Sequence, residues 1–64
     1  MDYSNSEISR LIDEYIHSER DRAIMKDRLI NGMVYEGLAE KYDLSVSQVK
    51  RIVYKMQMLL FKHL

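Results

Sequence analysis

The side chains best suited to chemistry lie in residues 45–55, which combine hydroxyl, amide and basic groups without an acid. An arginine can bind a guanine edge bidentately and a glutamine an adenine edge, and a serine can contact either base. Lysines more often bind phosphates, which position a protein on the duplex. The predicted DNA-contacting residues are Ser45, Val46, Ser47, Gln48, Lys50, Arg51, Tyr54 and Lys55. In this set Val46 is expected to meet a thymine methyl group.

The charges are sorted along the chain although they cancel in total. The 64 residues carry 10 bases and 10 acids, so the formal net charge is zero. All the acids lie at or before Asp43. The charged residues after it are all bases, namely Lys50, Arg51, Lys55 and Lys62. A basic segment of this kind is typical of a small nucleic-acid-binding domain. Two simpler explanations stay open: chance sorting in a short sequence, and an ordinary solvated helix face.

Enzymatic and metal-binding functions are not indicated. The chain has no cysteine, which excludes disulfides and thiolate zinc sites. His17 and His63 lie far apart, and neither has a partner at the i, i+4 spacing of metal ligands. No nucleophile elbow, phosphate loop or isolated pair of acids on an apolar face occurs. We therefore expect no catalysis, no metal and no cofactor.

Apolar residues recur at helical spacing throughout, without proline and without strand-like alternation. This pattern predicts a single all-α domain over residues 1–64. The predicted helices run from a cap at Ser4 to about Ile16, from a cap at Ser18 to about Asn31, from about Val34 to Tyr42, and from Ser45 towards Leu64. Residues 4–7 and 45–48 have the spacing of capping boxes. Gly32 is expected to end the second helix in a left-handed conformation.

Five polar residues of the second predicted helix carry charges of both signs and are expected to form a solvated face. They are Arg20, Arg22, Lys26, Asp27 and Arg28. Such a mixture is most often ordinary surface. The alternative is that Arg22, Lys26 and Arg28 contact phosphates where this helix borders DNA.

The last two predicted helices have the order of a helix-turn-helix, with the turn at residues 43–45. The first would bury Leu38 and Ala39, and the second would bury Val49, Ile52 and Val53. A second apolar line, formed by Tyr54, Met58 and Phe61, lies about 100° further round the last helix. Three short helices cannot cover this much apolar surface. We therefore expect an interface with a second copy or another partner, formed by Met56, Met58, Leu59, Leu60 and Phe61.

Residues 35–52, YEGLAEKYDLSVSQVKRI, resemble the helix-turn-helix of bacterial sigma-70 region 4, and residues 16–30 resemble the preceding helix. The whole chain is similar to small stand-alone helix-turn-helix proteins of Firmicutes bacteria and their prophages. The resemblance implies a four-helix domain with an extended, DNA-reading last helix, a role in transcription, and a contact with RNA polymerase. Region 4 usually carries arginine and glutamate just after the cap, where this chain has Val46 and Ser47. Because the chain also lacks a region 2, the resemblance implies a regulator rather than a sigma factor.

Two functions follow from these patterns. The first is sequence-specific binding of double-stranded DNA by a homodimer, whose two reading helices would address half-sites about one helical turn apart. The second is a protein-interaction module that docks on RNA polymerase or a sigma factor through its methionine-rich end. A membrane-surface helix at residues 55–64 would have few positive charges. Since no signal peptide and no run of about 18 apolar residues occurs, we expect a cytoplasmic protein with no membrane partner.

Overall fold

A computed structural model describes residues 3–63 of the chain. This part contains helices and connecting turns, and no strand, which confirms the all-α class expected from the apolar spacing. The four helices are α1 (Asn5–Tyr15), α2 (Glu19–Leu29), α3 (Tyr35–Tyr42) and α4 (Val46–Phe61). Within the described range, no helix is long and apolar enough to cross a membrane.

The observed helix ends differ from the predicted ones mainly at the C-termini of α2 and α4. Helix α2 stops at Leu29, and the chain then turns through Gly32, which has the expected left-handed φ of 69°. Helix α4 stops at Phe61, short of the predicted continuation towards Leu64, and Leu64 itself lies outside the described residues. The 16 residues of α4 span about 24 Å.

Serine side chains fix the start of three helices. In α1, Ser4 Oγ accepts the N–H of Glu7 at 3.2 Å, and the Glu7 carboxylate accepts the N–H of Ser4 at 3.2 Å. Helix α4 begins in the same way, with Ser45 and Gln48 as the reciprocal pair. In α2, Ser18 Oγ accepts the N–H of Asp21 at 3.3 Å. These caps satisfy backbone donors that have no partner inside the helix, which confirms the predicted helix starts.

The turn between α3 and α4 depends on Asp43, which has a left-handed φ of 56°. Aspartate is one of the few non-glycine residues that adopt this conformation. The N–H of Leu44 then donates to the carbonyl of Ala39 at 2.9 Å, which closes the turn. Ala39 is only 8% exposed, which confirms its expected burial. These contacts set the angle between α3 and α4.

The core takes apolar side chains from all four helices. Its buried members are Leu11, Ile12, Ile16, Ile24, Met25, Leu38, Ala39, Val49, Val53 and Leu60. Ile52, which we expected to be buried, is only half-buried and packs against the edge of this cluster. The burial of Val49, Val53 and Leu60 ties the full length of α4 to the domain, so the opposite face of α4 points into solvent.

Asp27 corrects the expectation that all the polar residues of α2 are solvated. It is 7% exposed, and its carboxylate accepts hydrogen bonds from Lys41 Nζ at 2.7 Å, Tyr42 Oη at 2.5 Å and Asn31 Nδ2 at 2.9 Å. The bond from Lys41, followed by that from Tyr42, lowers the pKa of Asp27 below its ordinary value of 3.8. Because Lys41 and Tyr42 lie in the last turn of α3, Asp27 fastens α3 to α2.

Candidate nucleic-acid interface

The outward face of α4 carries most of the predicted DNA-contacting residues. Exposed side chains are those of Ser45, Ser47, Gln48, Lys50, Arg51, Tyr54 and Lys55. Val46 differs from the others because it is half-buried and packs against the core, so little of its surface is free to meet a thymine methyl. The structure therefore exposes seven of the eight predicted residues at the N-cap and in the first three turns of α4.

Two of these exposed residues also hold the helix start. Ser45 Oγ accepts the N–H of Gln48 at 3.1 Å, and Gln48 Oε1 accepts the N–H of Ser45 at 2.9 Å. A bidentate contact with adenine needs both the amide oxygen and the amide nitrogen of a glutamine. Because the cap engages Oε1, the predicted adenine contact competes with the capping box. Arg51, which has no role in the cap, is the better candidate for a bidentate base contact.

Arg51 shares a shallow concavity with a residue that the sequence did not single out as a ligand. The depression has a volume of about 190 Å³ and is lined by Arg20, Leu44, Gln48, Arg51 and Ile52. Arg20 lies in the first turn of α2, where its guanidinium pairs with Asp21 at 3.3 Å. No sequence spacing could connect Arg20 with Arg51, because only the packing of α2 beside α4 brings them to one site.

A second basic cluster lies where α2, α3 and α4 meet around Tyr35. The guanidinium carbon of Arg28 is 4.3 Å from the Tyr35 ring centroid, and Lys50 Nζ is 5.8 Å from it. The Tyr54 ring meets Tyr35 edge-on, with centroids 6.4 Å apart. Arg28 also donates to the carbonyl oxygen of Met33 at 2.9 Å. Lys50 and Tyr54 of α4 thus both lie against Tyr35 of α3, and this cluster groups Tyr35 and the phosphate candidate Arg28 with them.

The other phosphate candidates on α2 are placed differently. Lys26 Nζ pairs with the Asp13 carboxylate of α1 at 2.7 Å, which directs it towards the α1 side of the domain. Arg22 is half-buried. Of the three α2 residues considered as phosphate ligands, only Arg28 joins residues of α4.

The predicted partner interface separates into exposed and buried members. Met58 is 68% exposed and Phe61 is 63% exposed, and Tyr54 beside them is 54% exposed. Met56 and Leu59 are half-buried and pack against the core. Leu60 is 5% exposed and belongs to the core of the monomer, so it offers a partner little surface of its own.

Both histidines, His17 and His63, lie within the described residues. Among the described residues, no group of three or more histidines, cysteines or acids is placed to hold a metal ion. His63 instead stacks on Tyr15, with ring centroids 3.7 Å apart and an interplanar angle of 4°. This contact fastens the chain just beyond α4 to the end of α1.

No protein-family model matches the chain, and no curated protein or solved structure matches it. The likeness to sigma-70 region 4 therefore stays a prediction that rests on the residues quoted from the sequence.

Proposed function

We propose that this protein binds double-stranded DNA in a sequence-specific manner, as a small transcriptional regulator of the bacterial or prophage type, with α4 in the major groove. The observation that carries the proposal is the exposed face of Ser47, Lys50 and Arg51 on a helix that contains no acid. An α-helix with its side chains is about 10–12 Å across, and the major groove of B-DNA is about 12 Å wide. The first turns of α4 therefore have a suitable shape and charge.

Each basic residue has a separate expected role. Arg51 is the reading residue, since its guanidinium can bind two acceptors of one guanine. Lys50 and Lys55 are expected to bind phosphates on either side of the groove, and Arg28 extends these contacts onto α2. Arg20 lines the same depression as Arg51, and it could contact the DNA backbone there if it left its ion pair with Asp21.

The test is a titration of the purified chain against a pool of random duplexes at about 50 and 200 mM salt, because phosphate contacts make affinity strongly salt-dependent. The variant Lys50→Ala with Arg51→Ala should weaken binding at least about tenfold and lower the salt slope by about one or two. A matched control is Arg10→Ala with Lys26→Ala, which removes the same charge from residues that pair with Glu14 and Asp13. Equal losses of DNA affinity in the two variants would show that only net charge matters. A folded chain that binds no duplex at low salt would refute the proposal.

The second candidate function is docking on RNA polymerase or a sigma factor. The exposed Tyr54, Met58 and Phe61 favour it, because aligned apolar side chains on a surface usually mark an interaction site. The homodimer expected from the same surplus of apolar surface also stays a prediction, and sedimentation at micromolar concentration tests it directly.

A further inference from the structure

Tyr54, Met58 and Phe61 form an apolar stripe along the second half of α4. Their exposed fractions are 54%, 68% and 63%. They are spaced four and three residues apart, so they stand above one another on one side of the helix. Isolated exposed apolar residues need no explanation, but three in a row on one helix face form a patch suited to a partner.

The stripe lies on the same side of α4 as the DNA-reading residues. Arg51 and Met58 are seven residues apart, which turns the helix to within about 20° of two full turns and advances it by about 10 Å. Ser47 and Met58 are eleven residues apart, again within about 20° of whole turns. The outward face of α4 is therefore one surface, polar and basic in its first half and apolar in its second.

The charges beside the stripe all have one sign along α4. Lys55 lies between Tyr54 and Met58 in the sequence, Lys62 follows Phe61, and both are exposed. Phe61 also borders an apolar groove of about 150 Å³ between α1, α2 and α4, with Ile8, Leu29 and Leu60 in its walls. The surface thus offers apolar contact, room for one bulky apolar side chain, and positive charge on a helix that has no acid of its own.

We propose that the outward face of α4 binds an acidic amphipathic helix of a partner protein. The apolar residues of the partner would cover Tyr54, Met58 and Phe61, with one side chain in the groove beside Phe61. Its acids would lie against Lys50, Arg51, Lys55 and Lys62. Helices commonly bind in this way through apolar residues at i, i+3, i+4 and i+7, and opposite charges select the partner.

A second copy of this chain fits the same surface less well. Two-fold pairing through the stripe would bring two acid-free basic helices together. It would also turn the two reading faces in opposite directions, because Ser47 and Arg51 point the same way as Met58. Such a dimer could not place both reading helices on one side of a duplex, as adjacent half-sites require.

One consequence rests on the proposed DNA binding. A helix lying along the outward face of α4 from Lys50 to Lys62 would cover the residues that read the groove. DNA and the acidic helix would then exclude one another, so the partner would act as an inhibitor of DNA binding.

The test uses two synthetic helical peptides of about sixteen residues with the same leucine and phenylalanine positions, one flanked by glutamates and the other by lysines. Fluorescence anisotropy with the full chain should show that the glutamate peptide binds at least about tenfold more tightly. The variant Met58→Ser with Phe61→Ser should abolish this binding and leave the fold and duplex affinity unchanged. Val34→Ser is the matched control, because Val34 is 60% exposed on a different element and should not affect the peptide.

Several results would overturn the docking proposal. They are equal binding of the two peptides, no binding of either, binding that survives the serine substitutions, association with anionic vesicles but not with the peptide, and self-association that the serine substitutions abolish. The last outcome would assign the stripe to a second copy. The peptide titration tests the docking proposal even if the chain binds no duplex. Failure of the docking proposal is therefore distinguishable from failure of the DNA-binding proposal. Where a duplex does bind, the glutamate peptide should displace it, and joint binding would refute mutual exclusion.

Discussion

Replacing Asp27 by asparagine tests whether one buried carboxylate holds α3 in place against α2. The two carboxylate oxygens accept different hydrogen bonds. Oδ1 accepts one from Asn31, and Oδ2 accepts one each from Lys41 and Tyr42. Asparagine has the same shape but only one accepting oxygen. If its amide nitrogen replaces Oδ2, it faces the donors Lys41 and Tyr42. If it replaces Oδ1, the Asn31 amide must turn over to accept from it, and in either orientation Tyr42 loses its charged acceptor.

The expected loss of stability comes chiefly from the bond with Tyr42. A hydrogen bond to a charged group contributes roughly 1.5–3 kcal/mol. The Lys41 side chain is 52% exposed and can return to water, so we assign it no separate energy. We expect Asp27→Asn to cost about 2 kcal/mol at pH 7. In a domain of this size that corresponds to a fall in melting temperature of roughly 8–16 °C.

The effect should also depend on pH in a defined direction. The pKa of Asp27 is lowered in the folded state, so its stabilisation is complete above the ordinary value of 3.8 and is lost as pH falls through the folded-state pKa. The difference between the wild type and Asp27→Asn should therefore be constant near pH 7 and shrink in strong acid.

Thermal and urea unfolding, followed by circular dichroism, would measure both effects. Asp13→Asn is the control, because Asp13 also pairs with a lysine at 2.7 Å but its side chain is 55% exposed. An exposed pair of this kind contributes about 0–1 kcal/mol. The reasoning would be refuted if Asp27→Asn were as stable as the wild type at pH 7, or if Asp13→Asn lost as much unfolding free energy as Asp27→Asn.

Two further predictions concern α4. Ser45→Ala should remove the cap, cost about 1 kcal/mol, and speed amide exchange in the first turn of α4; unchanged exchange there would show that the capping box is not needed. Leu60→Ala should cost about 2–5 kcal/mol because it leaves a cavity in the core, whereas Met58→Ala should change stability by less than about 0.5 kcal/mol. If chemical denaturation showed similar losses of unfolding free energy in the two variants, the placement of Leu60 in the core and Met58 on the surface would be contradicted.

Local sequence patterns predicted the features that depend on neighbouring residues. The capping boxes at Ser4 and Ser45 and the left-handed Gly32 each involve atoms only a few positions apart, so the residue types were sufficient. The order of the helices followed from apolar spacing. The exposure of Arg51, Lys50 and Met58 followed from the same periodicity, once the buried side of α4 was assigned.

Features that depend on tertiary packing could not be predicted in this way. Asp27 stood among charges of both signs, and its partners Lys41 and Tyr42 lie 14 and 15 positions away, with no spacing that connects them. Leu60 fitted both the core stripe and the partner interface, because periodicity does not show how far neighbouring helices reach. The grouping of Arg28 with Tyr35 likewise required the positions of α2 and α3 to be known.

The most direct test of the central claim is the affinity of the chain and of Arg51→Ala for a selected duplex and for each of its single-base substitutions. If α4 reads the major groove, the wild type should lose roughly 1–3 kcal/mol of binding free energy when one particular guanine is replaced. The variant Arg51→Ala should bind more weakly and no longer distinguish the base at that position. Equal affinity of the wild type for every duplex, or unchanged base preference in Arg51→Ala, would contradict the assignment of α4 as the reading helix.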